Sequence, residues 1–256
     1  MIYVENVGVQ ELEIYSSLRE SAFRDDGSFI ADSPKVVNLL LESENLEVKS
    51  ILATKEYYEE FHELLQTKQI AKKYVTTKEQ MKQIVGHKIH HNCMMHALRP
   101  QDVSLEELGN EILLLDGITS AENVGAIVRS CAALGVNSLL ISKETPHPFN
   151  RRALRVSMGY ASMVQTSMHE DIKESIVALQ ERGYRVYAAE VHPNATPLRK
   201  AKTPEKWVLI MGHEGRGIAE DILELCDEVV TIEMQEGIKS FNVGIAASLI
   251  MYQFKG

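Results

Sequence analysis

From about residue 111 onward, short apolar runs alternate with longer stretches of helical period. Strands are predicted at Ile112–Leu115, Ser138–Ile141, Arg185–Ala189, Val208–Met211 and Glu228–Ile232. Helices fall between them, Asp171–Glu181 being the clearest. Short apolar strands separated by helices call for a parallel sheet covered on both faces. The last helix, Phe241–Phe254, is apolar almost all round (Val243, Ile245, Ala246, Ala247, Leu249, Ile250), so it is expected to be buried in its domain or against another subunit.

The first hundred residues read differently. Ser33-Pro34 places a capping residue and an N1 proline ahead of Val36, Val37, Leu39, Leu40 and Leu41, which predicts a helix start. Glu47–Ala53 fits a strand, Glu56–Leu65 an amphipathic helix and Lys78–Val85 a further short helix. This half is expected to form a small α/β sandwich. The proline-bearing polar stretch from His96 to Ser104 breaks the pattern and is read as the joint. The division that follows is 1–98 for the first domain, 99–110 for the linker and 111–256 for the second.

Composition sets limits on this picture. The 256 residues are 45% hydrophobic, enough for one large or two modest cores without help from disulfides. Cys93, Cys131 and Cys226 are odd in number and widely spaced among apolar residues, as expected of free thiols in a reducing, cytoplasmic setting. The first residues lack the basic and apolar regions of a signal peptide. No apolar run reaches the roughly 20 residues that a membrane span requires. A net charge of −9 argues against a wholly basic surface but leaves room for local cation clusters. Two such clusters stand out: Arg151, Arg152 and Arg155, and Arg199, Lys200 and Lys202, each readable as a phosphate-binding patch or as a solvated face.

Candidate chemistry concentrates where strands run into glycine-bearing loops. One such loop is Gly212-His213-Glu214-Gly215-Arg216-Gly217, a second runs from Ile232 to Val243, and a third carries Asn123, Gly125 and Arg129. Three strand–loop–helix junctions suggest one composite site at the carboxyl edge of the sheet. The spacing G-x-x-G-x-G near the chain's end is wrong for a nicotinamide or flavin fingerprint. Neither a phosphate loop of the G-x-x-x-x-G-K-[ST] kind nor a G-x-S-x-G nucleophile elbow occurs. The histidine-rich run from His87 to His96 with Cys93 matches no paired zinc-ligand spacing. It reads more simply as a polar strand edge between the domains, and no metal site is expected. What remains is a glycine-rich site with Asn123, Arg129, Glu214, Ser240 and Asn242 as its polar groups, suited to an adenosine-bearing molecule held largely by main chain. The plainer alternative makes Arg129–Glu214 a structural ion pair and Asn123 and Asn242 helix caps.

At these residues the chain resembles the SpoU/TrmH-type RNA 2′-O-ribose methyltransferases of the SPOUT superfamily. Asn123-Val124-Gly125-Ala126-Ile127-Val128-Arg129-Ser130 is similar to the family's first motif, N-x-G-x-[IL]-x-R-[ST]. Gly212 to Gly217 is similar to the second, G-x-E-x-x-G, and Ile232 to Ala247 to the third, I-P-M-x-G-x-x-x-S-L-N-V-[SA]-V-A. Arg155-Val156-Ser157-Met158-Gly159 fits a less distinctive family segment. Glu233, Glu236 and Phe241 stand where the family has proline, glycine and leucine.

The resemblance implies an α/β fold: a C-terminal parallel sheet with helices on both faces and a SPOUT-like C-terminal trefoil knot, preceded by a small ribosomal-protein-like α/β domain that binds RNA. It implies S-adenosylmethionine as cofactor, contacted by Gly212, Ile232, Met234 and Phe241. It implies Arg129 as catalytic, with Asn123, Glu214, Ser240 and Asn242 around it. The activity implied is methylation of a ribose 2′-hydroxyl in structured RNA, rRNA or tRNA, by a cytoplasmic homodimer whose active sites lie at the subunit interface. A non-catalytic RNA-binding protein that keeps the fold is the alternative, and the acidic residues in the third motif are its support.

Overall fold

The structure, a computed structural model, describes residues 1–16, 26–86 and 90–256. Chain contacts divide it into two compact units. One is Met1–Gln101 together with Phe149–Ser162, and the other is Asp102–Pro148 with Met163–Gly256. Segment 149–162 thus packs with the first unit, although it lies in sequence between strands of the second.

Among its described residues, the first unit holds a mixed five-stranded sheet in the order β1-β4-β3-β5-β2. Its strands are β1 (Ile2–Tyr3), β2 (Ser28–Asp32), β3 (Glu47–Thr54), β4 (Ile70–Thr76) and β5 (Cys93–Leu98). The helices α1 (Glu13–Ser16), α2 (Pro34–Glu42), α3 (Lys55–Glu60) and α4 (Lys78–Val85) complete it. The amphipathic pattern expected to run from 56 to 65 stops at Glu60, because Phe61 closes the helix and a separate 3-10 turn follows at Leu64–Gln66. The polar stretch read as breaking the pattern begins inside a strand: His96 to Leu98 belong to β5, which is paired on both sides, with β3 and with β2. The part of the histidine-rich run that lies in β5, Cys93 to His96, is therefore interior to the sheet and forms no edge. His96 Nε2 lies 3.0 Å from Ser28 Oγ, while His87 lies outside the described residues.

Ser33 stands at the N-cap of α2, with proline following as expected, but its hydroxyl makes no capping bond and its backbone sits at φ 80°, ψ 142°. Next to it the buried Asp32 carboxylate takes an ion pair from Arg151 and a second, at 3.6 Å, from Arg155, both on α6 (Arg151–Val156). Two of the three arginines in the first basic cluster are therefore engaged inside this unit. Phe29 and Phe149 add an edge-to-face ring contact at 5.0 Å.

The second unit contains a wholly parallel seven-stranded sheet in the order β10-β12-β9-β11-β6-β7-β8. The five expected strands are present as β6 (Glu111–Leu115), β7 (Ser138–Ser142), β9 (Arg185–Ala189), β11 (Trp207–Met211) and β12 (Glu228–Thr231). The two edge strands, β8 (Gln165–His169) and β10 (Thr196–Pro197), went unpredicted because edges carry polar residues and no continuous apolar run.

Helices cover both faces of this sheet. On one, Ile112, Leu114, Val186, Val208 and Ile210 pack with Ile176 and Leu179 of α7 (Ile172–Glu181) and with Ile222 and Leu223 of α8 (Glu220–Leu223). On the other, Phe254 of α9 (Val243–Phe254) stacks against Tyr187 and Trp207, and α9 lies beside α5 (Ala121–Leu134), joined by Ser130 and Ser248 hydroxyls 2.7 Å apart. The three cysteines are free, and burial raises the pKa of each thiol.

Candidate functional site

Four loops meet at the carboxyl edge of the second sheet, around the point where strand order departs in opposite directions from the β6–β11 pair, which is where open α/β sheets form their ligand crevice. They enclose a cavity of about 750 Å³, within the range of small-molecule sites. All the residues expected to contact a cofactor line it: Gly212, Ile232, Met234 and Phe241. Asn123, Glu214, Ser240 and Asn242 line it as well. Its apolar wall comes from Ile218, Leu223, Val230 and Ile250.

The loop after β11 is shaped by backbone demands that only glycine meets. A Cβ on Gly212 would lie 2.6 Å from Ile218 Cγ1 and 2.7 Å from the carbonyl carbon of Gly217. Gly217 adopts φ +67°, and a Cβ there would lie 2.3 Å from Glu190 Oε2. Between them His213 folds the turn: Gly217 N–H donates to its carbonyl at 2.8 Å, and Gly215 and Arg216 N–H donate to its Nδ1 at 2.9 and 3.2 Å. Nδ1 is therefore the acceptor nitrogen of the ring.

This turn presents Glu214 to the start of α5. Its carboxylate accepts from Asn123 Nδ2 at 3.0 Å, from Thr119 N–H at 3.2 Å and from Ser120 N–H at 3.3 Å, with Thr119 Oγ1 at 3.3 Å. Burial raises the pKa of the Glu214 carboxyl, but the hydrogen bonds from Asn123 and the backbone outweigh it and hold the group below the usual carboxylate range. Asn123 Oδ1 in turn accepts from Asn242 Nδ2 at 3.0 Å, and Asn242 Oδ1 caps α9 by accepting from Gly244 and Ile245 N–H at 3.0 and 3.3 Å. Asn242 is thus a cap, as the plainer alternative held. The cap of α5 is Ser120, which accepts from Asn123 N–H, so Asn123 keeps its amide free to bridge Asn242 and Glu214.

Arg129 does not join this chain of bonds. It is exposed on α5, does not line the cavity and has no hydrogen bond or ion pair among the described residues, so the alternative of an Arg129–Glu214 ion pair is not realised. Of the three departures in the third motif, Phe241 lines the cavity and the two acidic ones stay out of it. Glu233 is held by the guanidinium fork of Arg199, at 3.0 Å to Nε and 2.5 Å to the terminal nitrogen, which lowers the pKa of its carboxyl. Glu236 is exposed and not among the lining residues. Arg199 of the second basic cluster is thereby occupied.

Several lining residues escaped the sequence reading, His213 and Glu190 among them. His213 sits inside a motif whose glutamate and glycines drew the attention. Glu190 follows β9, where no motif marks it.

A model of the SpoU rRNA Methylase family matches residues 110–252, more than half of the chain. The chain belongs to this family. A protein of Mycobacterium tuberculosis described as an uncharacterized tRNA/rRNA methyltransferase is 31% identical over 186 residues, covering 70% of this chain and 65% of the relative. The 23S rRNA (guanosine-2′-O-)-methyltransferase RlmB of Escherichia coli is 30% identical over 142 residues, 56% of this chain and 58% of RlmB. The chain thus matches under two thirds of the length of these relatives. Among solved structures, an AdoMet-bound rRNA methyltransferase from Sinorhizobium meliloti superposes with a TM-score of 0.84 at 18% identity, over 98% of this chain and 96% of that one. The SpoU methyltransferase AviRb from Streptomyces viridochromogenes, in complex with AdoMet, gives 0.81 at 19% identity over 96% and 97%. These likenesses extend the shared fold across both units.

Proposed function

We propose that the protein transfers a methyl group from S-adenosylmethionine to a ribose 2′-hydroxyl of a structured RNA, rRNA or tRNA. The observation that carries this reading is the cavity bounded by the Asn242–Asn123–Glu214 chain of hydrogen bonds. The names of the family and of RlmB, and the AdoMet carried by two proteins of the same fold, support it. So does the character of the cavity, whose glycine-built loop exposes main chain and whose wall is apolar, the donor set expected for an adenosine-bearing ligand.

S-adenosylmethionine, when bound, supplies the electrophilic methyl group. The chain's share is to hold that ligand against Gly212, Ile232, Met234 and Phe241, to orient the ribose oxygen and to deal with its proton. Asn123, Glu214, Ser240 and Asn242 form the polar rim on which the ribose is positioned. A guanidinium gives up its proton only at high cost, so Arg129 acts best by stabilising the developing oxyanion, with a substrate phosphate helping to accept the proton. The 2′-hydroxyl selects RNA over DNA through its chemistry.

The reading includes a homodimer. Ile245, Leu249 and Tyr252 are exposed along one side of α9, with Phe241 exposed just ahead of its cap, a row of large apolar groups suited to a second copy of the chain. In such a dimer the unpaired Arg129, on the neighbouring α5, is available to the partner's cavity. The reading further includes the C-terminal trefoil knot, an RNA-binding role for the first unit and a cytoplasmic location. In keeping with the last, no described helix is long and apolar enough to cross a membrane. The alternative of a non-catalytic RNA binder loses its support, since Glu233 and Glu236 stand outside the cavity. The deciding experiment is methyl transfer from labelled cofactor to total unmodified cellular RNA, followed by mapping of the modified nucleotide. Absence of label from every RNA fraction, with cofactor bound, would sink the proposal.

A further inference from the structure

Glu190 is a charged lining residue that neither the motifs nor the proposed chemistry uses. It follows β9 directly, and its own N–H donates to Val230 O at 3.1 Å, which locks its backbone to β12. Its two carboxylate oxygens are held separately: Oε1 accepts from Val191 N–H at 2.9 Å, and Oε2 accepts from Ile218 N–H at 3.0 Å. In the turn after β11 the carboxylate lies over Gly217, whose φ of +67° favours glycine and where a Cβ would press on Oε2. Two loops are therefore built around one carboxylate in the cavity wall.

A carboxylate has about four acceptor positions, and the two backbone N–H groups occupy two of them. A rigid pair of oxygens, each with acceptor capacity left, matches a ligand that offers two adjacent O–H donors. The adenosine-bearing ligand of the proposed function has one such element, the 2′,3′-diol of its ribose. We infer that Glu190 is a specificity-determining residue that accepts hydrogen bonds from this diol. The inference rests on the proposed cofactor and adds the contact that tells the nucleoside from its deoxy forms.

The test measures binding of S-adenosylhomocysteine and of its 2′,3′-dideoxy counterpart to the wild-type protein, Glu190→Gln and Glu190→Ala. The neutral sulfur of these ligands removes any attraction between the carboxylate and a sulfonium. The wild type should favour the diol by roughly 10- to 100-fold, the range for hydrogen bonds to a charged acceptor, and Glu190→Ala should erase most of that preference. Glu190→Gln keeps the side-chain volume and should fall between the two, which guards against a loop collapse in the alanine variant. Equal weakening of both ligands would mean that Glu190 only shapes the loops, and the inference falls. It falls too if the variants lose instead a preference for the 6-amino over a 6-deaminated analogue, since the carboxylate would then read the base. If the wild-type protein binds neither ligand, the cofactor reading itself is lost along with the inference.

Discussion

Asn242 Nδ2 donates to Asn123 Oδ1 at 3.0 Å, which ties the cap of α9 to the first turn of α5 across 119 positions of sequence. Through Asn123 the tie continues to Glu214 and the turn after β11. One amide thus ends a helix, fixes the rotamer of a second amide and, through it, orients a carboxylate at the cavity. The arrangement has separable consequences.

Replacing Asn242 with alanine removes both the cap and the tie, and should lower stability by about 1 kcal/mol in urea titrations. Asn242→Asp restores a capping oxygen without a donor for Asn123. It should therefore recover most of the stability while methyl transfer stays low. If activity recovers in step with stability, the tie to Asn123 has no catalytic value.

Arg129→Ala should reduce methyl transfer by about 100-fold or more while leaving the fold and cofactor affinity intact, because the side chain is exposed, lies outside the cavity lining and has no partner to strand among the described residues. Arg129→Lys should also be poor, since a point charge does not reproduce the planar fork. Single-turnover rates alongside calorimetric cofactor binding check this. A lysine variant with near-normal turnover removes Arg129 from the mechanism.

Ser33 holds a positive φ at which a side chain is strained, and its hydroxyl makes no capping bond in return. Ser33→Gly should stabilise the protein by about 1 kcal/mol, relief of strain exceeding the added flexibility of the unfolded chain. Ser33→Ala should bring no gain, because the strain lies in the backbone. Thermal melts of both variants separate the two effects.

Glu214 has its pKa lowered in the folded protein by hydrogen bonds that outweigh its burial. The stability it contributes is then fully present above the ordinary carboxylate pKa of about 4.3, and is lost as pH falls through the lower folded value. Melting temperatures between about pH 3 and 6 should drop less steeply on the acid side for Glu214→Gln than for the wild type. Parallel acid limbs would show that the carboxylate is not coupled to folding.

A dimer joined along α9 should scatter light as twice 28.8 kDa, and Leu249→Glu should halve that mass by placing an unpaired charge in the apolar row. A wild-type mass of 28.8 kDa at micromolar concentration would exclude the α9 interface.

The parallel core of the second unit was legible because its central strands are continuous apolar runs, and burial on both faces leaves little freedom in composition. The edges were not, since Gln165–His169 and Thr196–Pro197 face solvent on one side and lack that signature. The same limit applies to the site. Asn123, Glu214, Ser240 and Asn242 were marked by glycine-flanked motifs, and all four line one cavity. Glu190 has no flanking signal, since its place depends on Gly217 and Ile218, some 28 residues further on.

By itself the sequence determined which segments could be strands, where the backbone had to be glycine and which polar groups stood at strand ends, because these follow from local sterics and from periodicity. Only the tertiary structure decided how those groups are spent. Arg151 and Arg155 neutralise Asp32, Arg199 takes up Glu233, Ser120 caps the helix that Asn123 was free to cap, and Arg129 is left without a partner among the described residues. The physical reason is that a hydrogen bond or ion pair is settled by distances of about 3 Å between side chains that the fold brings together from remote parts of the chain, and no local pattern encodes such distances.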